Sequence, residues 1–232
     1  SSSGFINSIA EKNIDKGKIH FFPQWAEPIF KPVSHTWKKL PNVSKNSFVI
    51  MFAGNIGESQ DFDSILKAAE KLKENKEIQW IILGSGRKEQ WVKEEIKKSG
   101  LGDTFHMMGR YPLKDMPSYY SLADAMLISL KKNYIFSLTI PAKLQSYLAC
   151  GKPILAMLDG ESPKLIRDAK AGLTCDSEDA DQLVTNVLKM SIMEKHEISQ
   201  MGSNSLNLYK RMFSRERLLN QAEQLFYKMI RN

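Results

Sequence analysis

From residue 48 onward, short apolar runs alternate with stretches of helical spacing, and no other pattern in the chain restricts its fold so tightly. The runs cover 48–53, 78–83, 105–108, 125–130, 154–158 and 173–175. Each is apolar at nearly every residue instead of every second one, as expected of strands buried on both faces. Between the first two, Phe62, Ile65, Leu66, Ala69 and Leu72 recur at helical spacing. Further helices are predicted through Trp91, Val92 and Ile96 and over 116–122, 142–149, 163–169 and 180–190. Strands alternating with helices imply right-handed βαβ units and a parallel sheet. After residue 190 the chain turns purely helical. One helix is predicted over about 194–212. A last one carries Leu218, Leu219, Ala222, Leu225, Phe226, Met229 and Ile230 on one broad face.

The segment before residue 48 is different. Residues 5–16 read as a short helix and 18–22 as a short strand. Pro23 and Pro28 then break regular structure. Residues 30–47 contain Pro32, Pro41 and several Ser and Asn residues without a period, which reads as a linker. No internal repeat is visible.

In an open parallel sheet, ligands bind outside the carboxyl ends of the strands, so the loops there are the candidate site. Four of them are glycine-rich or charged. The first holds Gly54, Asn55, Gly57 and Gln60, the second Gly84, Gly86 and Arg87, and the third Gly109, Arg110 and Tyr111. The fourth runs from Lys131 through Pro141 to Lys143. Glycine lets backbone N–H groups approach a phosphate or a base. Tight strand–helix turns would need the same residues singly; four such loops together favour binding. The stretch Pro141-Ala-Lys-Leu-Gln-Ser-Tyr-Leu-Ala-Cys-Gly-Lys-Pro153 is central. Pro141 suits a first helical turn and Gly151 a left-handed C-cap. Lys143 then lies beside free N–H groups at a helix start, where phosphates bind, or else is merely a solvated lysine. A dinucleotide fingerprint at Gly84-Ser-Gly86 fails, because Glu89 stands where the third glycine belongs. The phosphate loop of NTPases is missing too.

The net charge of +7 is spread over many helices. It reads first as a solvated surface, and next as attraction to anionic ligands or an anionic membrane surface. Nucleic acid is not expected, because no arginine-rich tract or interleaved aromatic platform is present. Cys150 and Cys175 form no CxxC pair, and His20, His35, His106 and His196 are scattered. Neither a metal site nor a disulfide framework is expected, and the natural compartment is a reducing cytosol. His106 falls in a predicted strand and is read as structural. No apolar run is long enough to span a bilayer, and the opening Ser1-Ser-Ser-Gly-Phe5 is not a signal peptide.

Several segments together resemble family 4 retaining glycosyltransferases: Phe52-Ala-Gly-Asn-Ile-Gly57, Ile82-Leu-Gly-Ser-Gly86, His106-Met-Met-Gly-Arg110, Ser121-Leu-Ala-Asp-Ala-Met-Leu-Ile-Ser129, Ala149-Cys-Gly-Lys-Pro-Ile-Leu-Ala156 and Ala171-Gly-Leu173. They occur in the family's order and at about its spacing. The resemblance implies an α/β fold, a Rossmann-like doubly wound parallel sheet forming the carboxy-terminal half of a GT-B enzyme, with a helical C-terminus. It makes residues 1–46 a remnant of the amino-terminal domain plus hinge, and 47–232 the domain that binds a nucleotide diphosphate sugar, with UDP-sugar expected. It further implies transfer of a sugar to a hydroxyl acceptor, a glycan or lipid-linked sugar of a bacterial capsule or lipopolysaccharide, with retention at the anomeric carbon. No cofactor or metal is implied. The location would be cytoplasmic, with contact at the inner face of the membrane as an option. Without the upstream acceptor domain this chain should transfer nothing.

The family's pattern is broken at four positions. Asn55 and Gln60 stand where an arginine and a lysine usually hold the diphosphate. Leu138 and Ser146 stand where two glutamates usually meet the sugar and ribose. Tyr111 falls where the family recognises the base. Two alternatives stay open: a nucleotide-sugar epimerase of the same fold, whose catalytic carboxylates and histidines cannot be placed here, and a non-catalytic nucleotide-binding module.

Overall fold

A computed structural model describes residues 2–231 except 35, 37, 41 and 42, so the readings made for Ser1, His35 and Pro41 fall outside the described residues. The helices are α1 (Phe5–Ala10), α2 (Phe62–Lys71), α3 (Glu89–Lys98), α4 (Met116–Tyr120), α5 (Tyr134–Ser137), α6 (Ala142–Ala149), α7 (Glu161–Asp168), α8 (Ala180–Ser191), α9 (Lys195–Met212) and α10 (Arg215–Arg231). The strands are β1 (Phe48–Ala53), β2 (Ile78–Leu83), β3 (Phe105–Gly109), β4 (Ala125–Ser129), β5 (Ile154–Met157) and β6 (Gly172–Cys175). They form one six-stranded sheet in the order β3-β2-β1-β4-β5-β6, parallel throughout. The order reverses between β1 and β4, which makes that gap the switch point of a doubly wound sheet.

Successive strand residues face opposite sides, so the apolar runs feed two cores. Met51, Ala53, Ile81, Met126, Ile128, Ile154 and Ala156 pack with Tyr120, Leu144, Tyr147, Leu148, Leu208 and Phe213. Ile50, Phe52, Trp80, Ile82, Leu127, Leu155 and Met157 pack on the other face with Phe62, Ile65, Val92, Leu183 and Val187. Burying each of the larger side chains contributes about 1.5–3 kcal/mol. The central helix α6 is closed by Gly151 at φ +66, whose left-handed turn lets Lys152 N donate to Tyr147 O at 3.2 Å. His106 is structural as read, with Nε2 at 2.7 Å from Gln79 Oε1.

The N-terminal segment departs from expectation. The first helix stops at Ala10, because Asn13 takes a left-handed φ of 62 and the Asp15 carboxylate starts a 3-10 turn at Lys16–Lys18 by accepting from Gly17 N. Residues 19–22 are not a strand, and the six-stranded sheet does not include them. The Phe21 carbonyl instead accepts from Gln221 Nε2 at 3.4 Å. Among its described residues the 30–47 stretch has no helix and no strand before β1, but Phe30 is buried and stacks on Tyr120 at 5.7 Å. Pro141 sits one position before the helix, at its N-cap, with an extended ψ of 132. The 131–139 loop is not all irregular. Asn133 accepts from Ile135 N at 2.8 Å and nucleates α5.

Candidate functional site

The first three strands end side by side, and their loops are stitched together by backbone bonds. Gly54 N donates to Leu83 O at 2.9 Å, Gly84 N to Gly109 O at 2.7 Å and Ile56 N to Ser85 O at 2.9 Å. The fit leaves no room for side chains at Gly84 and Gly86. A β-carbon on Gly84, at φ +137, would lie 1.9 Å from Gly54 O, and one on Gly86 would lie 2.3 Å from Ile56 O. These glycines are needed for loop-on-loop packing.

Over these loops opens a cavity of about 450 Å³. Its lining combines small and polar residues of the glycine loops, Gly54, Asn55, Gly84, Ser85 and Gly86, with the apolar and aromatic Phe30, Tyr111, Leu113, Met116 and Tyr120. Arg110 stands at its wall, exposed, with no carboxylate partner among the described residues. Tyr111 is half-buried and its ring lies 4.3 Å from that of Tyr119. Burial of Tyr119, with Tyr111 beside it, pushes its phenol up to about 12.

Lys143 reaches the same glycine turn from α6. Its Nζ lies 3.3 Å from where a β-carbon on Gly54 would stand and 3.9 Å from the centre of the Phe52 ring, and it donates to Gln60 Oε1. Among the described residues no carboxylate lies in ion-pair range of it. Half-buried against these neutral groups, the ammonium loses hydration, and burial pushes its pKa down to about 7. Lys143 occupies the first turn of α6, where backbone N–H groups lack helical partners.

The other expected residues divide. Gly54, Asn55, Gly84, Gly86, Arg110 and Tyr111 line the cavity; Gly57, Gln60, Arg87, Gly109, Lys131, Pro141, Lys143 and Ser146 do not. The Asn55 amide folds back over Gly57 and Gly86, and Gln60 is Lys143's partner. Arg87 is exposed outside the cavity. Lys131, on the fourth loop, is a poorer candidate cation than Lys143, because Glu58 holds it and Lys88 joins the same carboxylate at 3.2 Å. That pairing, Lys131 first, keeps the Glu58 carboxyl below its ordinary range. Phe30, Tyr120, Phe52 and Tyr147 escaped the sequence reading. Only Tyr147, four residues after Lys143 on the same helix face, carried a signal in its spacing. Among the described residues no cluster of three or more His, Cys, Asp or Glu is placed to hold a metal. Cys150 and Cys175 are free and buried, and no described helix is long and apolar enough to cross a membrane.

A doubly wound six-stranded parallel sheet flanked by helices, with glycine-rich loops at the carboxyl ends of its strands, defines a Rossmann-like domain of the GT-B type. The family model "Glycosyl transferases group 1" matches residues 34–205, and the chain belongs to that family. It is 28% identical over 177 residues to the probable glycosyltransferase WbjE of Pseudomonas aeruginosa, covering 73% of this chain and 43% of the relative. It is 25% identical over 206 residues to the putative colanic acid biosynthesis glycosyl transferase WcaI of Escherichia coli K12, covering 84% and 49% respectively. The chain thus spans about half the length of these relatives. Its fold matches a glycosyltransferase from Rickettsia africae with a TM-score of 0.83 at 17% identity, over 100% of this chain and 62% of the other. It also matches Anabaena HepE, solved with UDP and glucose, with a TM-score of 0.77 at 14% identity, over 97% and 61%.

Proposed function

We propose that residues 47–232 form the donor-binding domain of a retaining glycosyltransferase of the hexosyltransferase type, and that residues 1–46 are the end of an acceptor domain plus its hinge. The donor is a nucleotide diphosphate sugar, most simply a UDP-sugar, and the acceptor a hydroxyl on a glycan or lipid-linked sugar of a bacterial surface polysaccharide. WcaI's colanic acid and the UDP and glucose bound to HepE support this choice. The protein would work on the cytoplasmic side, peripheral to the membrane where its acceptor is lipid-linked.

The observation that carries the reading is Lys143: a cation with no carboxylate partner among the described residues, at a helix start, against the glycine turn at the switch point. When the sugar's anomeric bond breaks, the diphosphate leaves with the electron pair and gains charge. Lys143, the N–H groups of α6 and those of the 54–57 turn would meet that charge, an electrostatic stabilisation of a leaving group. No metal is required for it. The aromatic lining of the cavity would take the base, with Tyr111 against the ring.

Two measurements test this. Calorimetric titration with UDP, GDP and dTDP should show binding of at least one, and silence with all three would overturn it. The chain alone should transfer no labelled sugar to any acceptor, and transfer would overturn the division into donor and acceptor domains. A second reading, a binding module without turnover, is favoured by one observation: Leu138 and Ser146 supply no carboxylate to a sugar or ribose.

A further inference from the structure

Parallel strands expose backbone groups wherever a ladder ends, and at the switch point the β1–β4 ladder stops while both strands continue. β1 pairs with β2 as far as Ala53↔Leu83, but with β4 only at Ile50↔Ala125 and Met51↔Met126. Residues 49, 51 and 53 turn their N–H and C=O toward the β4 side, as Asp124 N donating to Val49 O at 2.9 Å shows. Ala53 therefore presents a buried donor and acceptor with no strand to meet them. One atom meets both. The hydroxyl of Tyr147 accepts from Ala53 N at 2.8 Å and donates to Ala53 O at 2.9 Å.

Tyr147 is fully buried, and burial holds its phenol well above the ordinary range, so the proton it donates stays on. Its ring meets Tyr120 edge-on at 5.2 Å, and Tyr120, like Ala53 and Gly54, lines the cavity. Lys143 lies one turn earlier on the same face of α6. The helix thus touches the end of β1 twice, through Tyr147 at Ala53 and through Lys143 over Phe52 and Gly54. With the hydroxyl in place, α6 can approach or recede only by leaving two buried backbone groups unpaired, which is costly.

We infer that Tyr147 is a positioning residue for the diphosphate: taking the ladder bonds that β4 does not make at Ala53, it sets the gap between the glycine turn and Lys143. The inference rests on the donor-site reading above. It concerns a residue that touches no ligand itself and acts through the Ala53–Gly54 backbone and through Lys143.

A double-mutant cycle on UDP affinity tests it, read below the melting temperature of every variant. Tyr147→Phe should bind UDP about tenfold more weakly than the parent, the scale of one well-placed polar interaction. In a Lys143→Ala background the same change should cost at most about twofold, because the cation it positions is gone. Equal losses in both backgrounds, or parental affinity in Tyr147→Phe alongside a lowered melting temperature, would reduce Tyr147 to a fold residue and overturn the inference while leaving the donor site standing. A parent that binds no nucleoside diphosphate would overturn both. Should Tyr147→Phe not fold, 3-fluorotyrosine at position 147 of the parent gives a second reading. Its fluorine resonance should shift on saturation with UDP, and an unmoved resonance counts against the inference.

Discussion

The ammonium of Lys143 stands 3.9 Å from the centre of the Phe52 ring, and its hydrogen-bond acceptor is the neutral amide oxygen of Gln60. A cation so placed is held by a π face and a dipole, both weaker partners than a phosphate. Lys143→Ala should therefore lower UDP affinity about ten- to a hundredfold, the equivalent of a charged hydrogen bond worth about 1.5–3 kcal/mol. Lys189→Ala, an exposed position on α8, should leave it unchanged. Calorimetry decides: equal affinity in parent and Lys143→Ala would remove the diphosphate from this turn.

The same lysine gives a pH signature. Its folded pKa of about 7 lies below the unfolded value of roughly 10.4, so the unfolded chain binds more protons between the two. This residue consequently makes stability rise with pH from about 7 toward 10, while below 7 it is protonated in both states and its burial penalty is fully present. A bound diphosphate favours the ammonium and reverses the depression. Above neutrality, UDP binding should take up a proton and weaken as pH rises, visible as heats that differ between buffers of unlike ionisation enthalpy. Both effects should vanish in Lys143→Ala. Buffer-independent heats in the parent at pH 8 would contradict this.

Tyr111→Ala should weaken UDP binding by about 1–3 kcal/mol if its ring stacks on the base. Its present partner is Tyr119 at 4.3 Å, so a packing role alone would lower the melting temperature and leave affinity untouched. The two readouts separate the roles.

Gly84→Ala places a β-carbon 1.9 Å from Gly54 O at a φ of +137. Backbone meets backbone there, so no side-chain rotation relieves it. We expect a loss of at least about 2 kcal/mol in stability, measured by urea denaturation, together with weakened UDP binding. A stability within 0.5 kcal/mol of the parent, the range of ordinary surface changes, would show that the three loops are not packed as described.

On α10, Leu218 is buried but Phe226 is 62% and Ile230 81% exposed. If that face serves the proposed acceptor domain, Phe226→Ser with Ile230→Ser should leave the melting temperature of this chain nearly unchanged and reduce its self-association in sedimentation. An unstable double variant would mean the helix closes this domain's own core.

The sheet and its helices were legible because strands buried on both faces need no period: residues 48–53 are apolar throughout, 78–83 are apolar but for Gln79, and the two runs coincide with β1 and β2. The loops at their ends could be ranked as binding loops from glycine content and sheet geometry alone. Residues 18–22 misled, since an apolar, aromatic run says nothing about whether a sheet edge is free to take it. Phe30 was hidden for the opposite reason, as a lone aromatic among prolines has no period to betray its burial. Lys131 stood second to Lys143 as a candidate cation, and only the fold brings Glu58 onto it. The role of Tyr147 depends on where the β1–β4 ladder stops, which no local pattern encodes.

That short ladder has a mechanical consequence. A sheet is as strong as its thinnest seam, and here the seam runs between Met51 and Gly54, where β4 has already turned away and one phenol hydroxyl spans the opening. Force applied across the domain, or thermal breathing of its two βαβ halves, would part the sheet along this line before it disturbed the outer strands. A diphosphate lodged between the 54–57 turn and the start of α6 would act as a rivet across it.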